Sequence, residues 1–309
     1  MLKNKKNHSM IIAIDIGGTK ISAALMENGK VIKHRKVASI IHSDLTNLCH
    51  YLVELCQGWI EQAQQVAIAC TGQVGQEYVN FLSAKKKLPL KTQLESAFKL
   101  PITILNDAAA AAWAEYCVDK NTNELAHSVI NNSTTNKNDT LVYITVSTGI
   151  GGGVIQNGQL VTSHNGFCAH LGHVSVQNNN RQIITCHCGR INCVEAIASG
   201  TAIAQQASLI LGKTVNAKEV FEQYLHVSEV AKLIDSASSA VCDLIASVKA
   251  MTGTEIIILG GSVGSSKAFH EQIIRKVSEL PKIYQVRILS PKMGENADLV
   301  GAALYANMS

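Results

Sequence analysis

The chain has 309 residues, 47% of them apolar, with a formal net charge of +4 at pH 7. That length can bury a sizeable core in one large domain or two. No apolar run reaches the ~18–20 residues that cross a bilayer, and the positive charge is spread too thinly to favour nucleic acid, its one dense run, Lys85-Lys86-Lys87, reading as a solvated loop.

Nine cysteines, an odd number and mostly scattered, do not form a secreted disulfide framework, so the compartment reads as the cytosol. The Met1–Met10 segment is basic, but the apolar run after it carries Asp15 and breaks at Gly17. It fails as the core of a signal peptide and works as a strand. That strand, Ile11–Ile16, runs into Gly17-Gly18-Thr19-Lys20. Ile21–Met26 and Val31–Lys36 read as meander strands joined through Glu27-Asn28-Gly29-Lys30. Leu45, Leu48, Leu52, Leu55, Cys56 and Ile60 recur at helical spacing, which predicts a helix of about four turns. Val66–Cys70 reads as a buried strand ending at Thr71-Gly72 and Ile102–Leu105 as another ending at Asn106-Asp107, with a helix over Ala108–Tyr116. The polar stretch Asp119–Asp139 reads as a linker or a mobile excursion.

A second glycine-ended strand follows: Leu141–Val146, then Ser147-Thr148-Gly149-Ile150-Gly151-Gly152-Gly153. A Cys/His cluster lies at 173–193, then helices to about Met251, a strand Ile256–Leu259 entering Gly260-Gly261-Ser262, a strand Val286–Leu289 and a closing helix Ala297–Ala306. Strands alternate with helices, so the fold class is α/β.

Glycine permits close backbone approach to a ligand, and N–H groups in such turns form anion-binding concavities. One such turn could be a bare hairpin. Two in one chain, each with Thr beside glycine, point to a duplicated fold clamping a polyphosphate, as an ATP-dependent phosphotransferase requires. Ile256–Val263 then reads as a floor for adenosine.

Asp107 has two compatible readings. At a strand-to-helix junction it is a natural N-cap. At the carboxyl edge of a parallel sheet it is also placed to accept a proton from a substrate hydroxyl. Asp15, beside the first glycine turn, reads either as a carboxylate that holds Mg²⁺ or as an Asx turn. Lys20 reads first as solvent-facing.

His173, Cys186, Cys188 and Cys193 supply one imidazole and three thiols within 21 residues. This set matches a closed, structural zinc site better than a disulfide in a reducing compartment. His170 and His187 are alternative ligands, and Cys168 reads as a small buried residue.

Together AIDIGGTK (13–20), ILNDAAAAAWAE (104–115), ITVSTGIGGG (144–153), LGHVSV (171–176), CHCGRINCVEAIASG (186–200) and IILGGSVG (257–264) resemble the ROK family of sugar kinases, over essentially the whole chain from Ile11 to Ala306. Within the family the chain resembles the bacterial N-acetylmannosamine kinases.

The resemblance implies a two-domain hexokinase/actin-like (ribonuclease H-like) fold of duplicated βββαβα units. One domain spans 1–117 plus about 290–309 and the other 118–289. It implies ATP held by Ala13, Ile14, Asp15, Ile16, Gly17, Gly18, Thr19 and Lys20, by Val146, Ser147, Thr148, Gly149, Ile150, Gly151, Gly152 and Gly153, and by Gly260 and Gly261. Asp107 would be the base toward the sugar 6-hydroxyl. Gly72, Asn106, Asp107, His170, His173 and Glu195 would contact an amino sugar, and His173, Cys186, Cys188 and Cys193 would bind zinc. A cytoplasmic homodimer with no nucleic-acid or membrane partner is the implied setting.

Three departures stand out. The family usually carries Glu where this chain has His170, and a neutral imidazole can donate as well as accept, so substrate preference should differ from that of a glucokinase. An Asn-Pro common in the family is missing from Phe81-Leu82-Ser83-Ala84-Lys85. The spacing between His173 and Cys186 is longer than expected. A kinase for N-acetylglucosamine or glucose and a sugar sensor without turnover are the alternatives. Only ten residues precede the first strand, which leaves no room for the DNA-binding module of a ROK repressor.

Overall fold

The computed structural model describes residues 10–122, 140–177 and 183–308. The basic N-terminal segment, most of the polar 119–139 stretch and part of the long His173–Cys186 spacing lie outside the described residues. The chain divides into two compact units. Met1–Asn123, Thr162–Cys168 and Met293–Ser309 form the first, and Glu124–Val161 with Ala169–Lys292 the second.

In the first unit the strands are β1 (Met10–Ile16), β2 (Lys20–Glu27), β3 (Lys30–Ala38), β4 (Gln65–Cys70), a small β5 (Gln73–Val74), β6 (Val79–Phe81) and β7 (Lys86–Leu88), and β8 (Ile102–Asn106). The main sheet runs β3-β2-β1-β4-β8, antiparallel across the first three and parallel across the last three. Central strands buried on both faces read as unbroken apolar runs. In β1, Ile12, Ile14 and Ile16 are each fully buried, and each such burial contributes roughly 1.5–3 kcal/mol. The outer strand β3 is mostly exposed and carries Lys30, Lys33, His34, Arg35 and Lys36, charges that discourage pairing with another edge.

The helix expected from Leu45 to Ile60 is shorter. The α-helix α1 spans Leu48–Leu55, with single 3₁₀ turns at Leu45–Asn47 and Ile60–Gln62. Its inward face is the expected one, with Leu45, Leu48, Leu52, Leu55 and Cys56 buried. The chain leaves the helix at Gly58, whose φ is +82°, and Arg35 Nη1 donates to the freed carbonyls of Leu55 and Gln57, at 2.6 and 3.1 Å, with its guanidinium 4.4 Å from the centre of the Trp59 ring. Helix α2 spans Leu90–Phe98, and α3 spans Asp107–Thr122, longer than the Ala108–Tyr116 stretch that its apolar run suggests.

Phe81 is a core residue of this unit, 1% exposed. Phe81, the first residue of the segment that lacks the family's Asn-Pro, is thus occupied in packing. The segment 162–168, read from sequence as part of the other domain, joins this unit. Gln76 N–H bonds His164 O at 3.0 Å, Gln73 Nε2 bonds Asn165 O at 2.8 Å, and the His164 ring meets Gln76 Oε1 at 2.8 Å.

The second unit repeats the first. Its strands are β9 (Thr140–Val146), β10 (Ile150–Gln156), β11 (Gln159–Leu160), β12 (Ile256–Gly260) and β13 (Arg287–Leu289). They run β11-β10-β9-β12-β13 with the same sequence of antiparallel and parallel pairings. Helices α4 (Val194–Ala198), α5 (Gly200–Leu211), α6 (Ser228–Thr252) and α7 (Lys267–Glu279) cover it. Along α6, Val230, Leu233, Ile234, Ala237, Val241, Leu244, Ile245 and Val248 are buried at helical spacing. The C-terminal helix, Ala297–Ala306, returns to the first unit. Two sheets of identical order and sense are the duplicated α/β architecture read from the sequence. None of the described helices is long and apolar enough to cross a membrane.

Candidate active site

In the first unit, the carboxyl ends of β1, β4 and β8 come into register: Ile16 pairs with Cys70, and Cys70 with Asn106. Asn106 ties this edge together. Its Nδ2 donates to Gly72 O at 3.0 Å, and its Oδ1 accepts Ala108 N–H at 3.1 Å and Ala109 N–H at 3.2 Å. Asn106 is thus the N-cap of α3. The capping role that Asp107 could have filled belongs to its neighbour. Asp107 occupies the first helical position, where its Oδ1 accepts Ala108 N–H at 2.8 Å. Burial pushes its carboxyl above the usual range, Asp298 adds to that, and the Ala108 and Asn106 bonds pull against it.

The turn Gly17-Gly18-Thr19 joins β1 to β2, closed by Gly17 N–H on Lys20 O at 3.0 Å. Lys20 is exposed. Ala13, Ile14 and Ile16 are buried strand residues that support the turn; their side chains are core. Asp15 lies half-buried beside the turn and hydrogen-bonds Asp298, a residue of the C-terminal helix. Burial first, then Asp298 and Asp107, push Asp15 up to about 9, while Lys36 pulls it down. Asp298 and Asp107 thus crowd Asp15 with like charge, which a small divalent cation held by Asp15 would relieve. Asp298 escaped the sequence reading because an acidic residue in the first turn of a helix is ordinary.

In the second unit, Ser147-Thr148-Gly149 is the β9–β10 turn, closed by Ser147 N–H on Gly149 O at 2.8 Å. Gly151, Gly152 and Gly153 are not part of a loop, as their sequence suggests, but lie in β10, paired with Thr145, Ile144 and Tyr143. Val146 and Ile150 are buried. The turn abuts the start of α5, where Gly200 N–H bonds Ser147 O at 2.7 Å and Thr201 Oγ1 bonds Thr148 O at 2.9 Å. It also abuts the end of β12, where Val263 and Gly264 N–H both reach Val146 O at 3.0 Å. Gly260 and Gly261 lie at that same strand end. Just beyond, a cavity of about 370 Å³ opens among Phe221, Glu222, Ser266, Lys267, Ala268 and Glu271. Ser266 Oγ is buried there without a hydrogen-bond partner.

Glu195, in α4, reaches the same turn: its Oε2 accepts Ile150 N–H at 2.9 Å. A Cβ on Gly149 would stand 2.6 Å from that oxygen, so a side chain here would displace the Glu195 carboxylate. One residue before α4 begins, Cys193 joins His173, Cys186 and Cys188, with all four donor atoms within 4.8 Å of one another. Cys186 Sγ lies 3.6 Å from His173 Nδ1, and Cys188 Sγ 3.6 Å from Cys193 Sγ. At metal–sulfur distances near 2.3 Å a tetrahedral ion separates its ligands by about 3.7 Å, so this cage has the size of a closed four-coordinate site. Burial and the neighbouring thiols push Cys193 up to about 12, a cost that a bound cation removes. His187 is exposed and outside this group. His170 is outside it too and stacks on the His173 ring, with centroids 6.1 Å apart and planes 6° from parallel. Cys168 is half-buried and belongs to the first unit.

Known proteins resemble this chain over nearly its whole length. An N-acetylmannosamine kinase of Yersinia pseudotuberculosis is 33% identical over 305 residues, 96% of this chain and 98% of that protein. An N-acetylmannosamine kinase of Vibrio cholerae is 31% identical over 297 residues, 94% and 97% of the two chains. Among solved structures, a ROK family glucokinase of Streptomyces griseus in complex with glucose and AMPPNP matches with a TM-score of 0.74 at 25% identity, covering 97% of this chain and all of that one. The family profile itself spans residues 11–308, so the chain belongs to the ROK family.

Proposed function

We infer that this protein is an ATP-dependent sugar kinase that phosphorylates the 6-hydroxyl of N-acetylmannosamine. The observation that carries the chemistry is the division of labour between Asn106 and Asp107: one caps the helix, which leaves the other's carboxylate for proton transfer. The amino sugar is supported by similarity along nearly the whole length of two N-acetylmannosamine kinases.

Asp107 accepts the proton of the 6-hydroxyl as that oxygen forms its bond to the γ-phosphorus. The bond from that phosphorus to the bridging oxygen breaks, and ADP leaves. Burial raises the proton affinity of Asp107, which suits a base that must take a proton from an alcohol near neutral pH. The N–H groups and hydroxyls of Gly17–Thr19 and Ser147–Gly149 hold phosphate oxygens. The cavity beside Phe221 and Lys267, within the ~300–1,000 Å³ range of small-molecule sites, takes the adenosine end. Asp15 is the carboxylate that would hold Mg²⁺, whose chemistry there would be to neutralise phosphate charge. Zinc in the His173, Cys186, Cys188 and Cys193 cage is structural. His173, Cys186, Cys188 and Cys193 would hold it, and the closed cage would fix the His173 ring and the start of α4, so that His173 and Glu195 are presented to the sugar along with His170.

We place the enzyme in the cytosol, in sialic acid catabolism, as a homodimer. Nine free cysteines in the described chain support a reducing compartment. ADP release measured with N-acetylmannosamine, N-acetylglucosamine, mannose and glucose tests the reading. N-acetylmannosamine should give the highest kcat/KM, and ADP release with none of the four would overturn it.

A further inference from the structure

We propose that Asp298 is a positioning residue of the phosphoryl-transfer site, one that fixes the Asp15 carboxylate and locks the start of α3, where Asp107 stands. The inference deepens the kinase reading and rests on it.

Asp298 lies in the first turn of the C-terminal helix, with its Oδ1 accepting Leu299 N–H at 2.8 Å. Its carboxyl is hydrogen-bonded to that of Asp15, with one proton shared between the two, so that a cation on Asp15 leaves the proton with Asp298 to donate. Asp107 has the matching local geometry at the start of α3, accepting Ala108 N–H at 2.8 Å. The two helices touch backbone to backbone one turn further along. A Cβ on Gly301 would stand 1.7 Å from Ala110 O, so no side chain fits there. Gly301 follows Asp298, and Ala110 follows Asp107, by the same three residues, which puts contact and carboxylate on one face of each helix.

Two further contacts keep the helices in register. Trp113 meets Tyr305 edge-on at 5.6 Å, and Glu115 Oε1 accepts Met293 N–H at 2.9 Å. The C-terminal helix therefore cannot slide along α3 without breaking several contacts, and Asp298 is delivered to one place, against Asp15. Lys36 supplies the balancing charge. It pairs across the sheet with Ser22, which pairs with Asp15, and it acts on both carboxyls. Asp298 thus acts through Asp15. It is a supporting partner of the kind that holds a cation-binding carboxylate in a single orientation.

Asp298→Ala removes the support, while Asp298→Asn keeps the shape and can still donate a hydrogen bond to Asp15. Loss of such a partner typically weakens metal binding about ten- to a hundredfold. The Asp298→Ala protein should therefore need about tenfold more Mg²⁺ for half-maximal rate and lose kcat, with the sugar KM unchanged. Asp298→Asn should recover most of both. A second readout does not depend on turnover: Mn²⁺ titrated into protein holding a non-hydrolysable ATP analogue should bind about tenfold more weakly to the Ala variant and near normally to the Asn variant. Unchanged Mn²⁺ affinity and unchanged kcat in folded Asp298→Ala would overturn the proposal. So would an Asn variant that folds but binds Mn²⁺ as poorly as Ala, since the charge itself would then be what matters. If Asp298→Ala does not fold, Asp298→Leu, which fills the space and makes no hydrogen bond, takes its place in the Mn²⁺ titration, with the same loss of about tenfold expected and wild-type affinity overturning the proposal. A wild-type protein that binds nucleotide and Mn²⁺ but phosphorylates no sugar would instead sink the kinase reading and leave the Mn²⁺ comparison standing.

Discussion

Glu195 Oε2 accepts the N–H of Ile150 at 2.9 Å, which joins the helix that follows the thiol cage to the turn expected to hold ATP. A residue expected at the sugar is thereby bonded to a residue of the phosphate turn, within one unit and through one hydrogen bond. The contact exists because Gly149 leaves room for the carboxylate.

Gly149→Ala should displace Glu195, because its Cβ would stand 2.6 Å from the carboxylate oxygen. A carboxylate at the end of a flexible side chain can move, so the fold should survive. The Ile150 N–H would lose its charged partner, a loss of about 1–3 kcal/mol where the N–H stays buried. Steady-state kinetics should show kcat/KM falling for sugar and ATP together, about ten- to a hundredfold. Combining the change with Glu195→Ala should add little beyond Glu195→Ala alone. Wild-type kinetics in Gly149→Ala would mean that the contact is incidental.

Asp107→Asn keeps the size and the contact to Ala108 but cannot take a proton. With helix capping assigned to Asn106, the substitution should leave the melting temperature within a few degrees and reduce kcat on the order of 10²–10⁴-fold. The pH profile gives a second check. The carboxyl is raised by burial, first of all, and must be ionised to act as a base. The rate should therefore fall as pH drops through a value above the ~3.9 of an ordinary aspartate. An acid limb at or below that value would assign the proton transfer elsewhere.

The cage makes a prediction about metal. Protein purified without chelator should contain about one zinc per chain, and stripping it should lower the melting temperature and activity together. Cys188→Ser should raise the sugar KM more than the ATP KM, because the cage positions His173 and Glu195 while the glycine turns belong to the sheets. Elemental analysis that finds no zinc would remove the assignment.

Much of this was legible in the chain, for physical reasons. Ile11–Ile16 and Ile256–Leu259 are buried on both faces and so read as unbroken apolar runs that stop at glycine. The cage residues were legible because thiols and imidazole at that spacing have few other uses. What escaped depends on contacts distant in sequence. Helix α1 ends early at left-handed Gly58, and Arg35, from β3, takes the carbonyls freed there. Thr162–Cys168 joins the first unit through bonds to Gln73 and Gln76 that no local pattern encodes. Asp298 gains its role only because the C-terminal helix folds back beside α3. Phe81 looked like a departure in a sugar-binding segment and is a core residue.

Burial of Phe81 turns attention back to His170 as the source of substrate choice. N-acetylmannosamine and N-acetylglucosamine differ only in the direction of the acetamido group at C2, so discrimination must come from a polar group near that face of the ring. His170 stacks on His173, whose Nδ1 faces the cage, so a metal held there would fix the ring against which His170 packs. A carboxylate at the same position only accepts, whereas imidazole can also donate. A site built around such bonds rejects the mismatched epimer because its own polar groups are left unpaired. His170→Glu should therefore shift the ratio of kcat/KM for the two sugars toward N-acetylglucosamine by roughly 1–3 kcal/mol, about ten- to a hundredfold. Kinetics on both sugars, for wild type and variant, measure it directly. An unchanged ratio with normal zinc content would place selectivity in Glu195 or in the Gly72–Asn106 edge of the first unit, and His170 would then serve only to pack against His173.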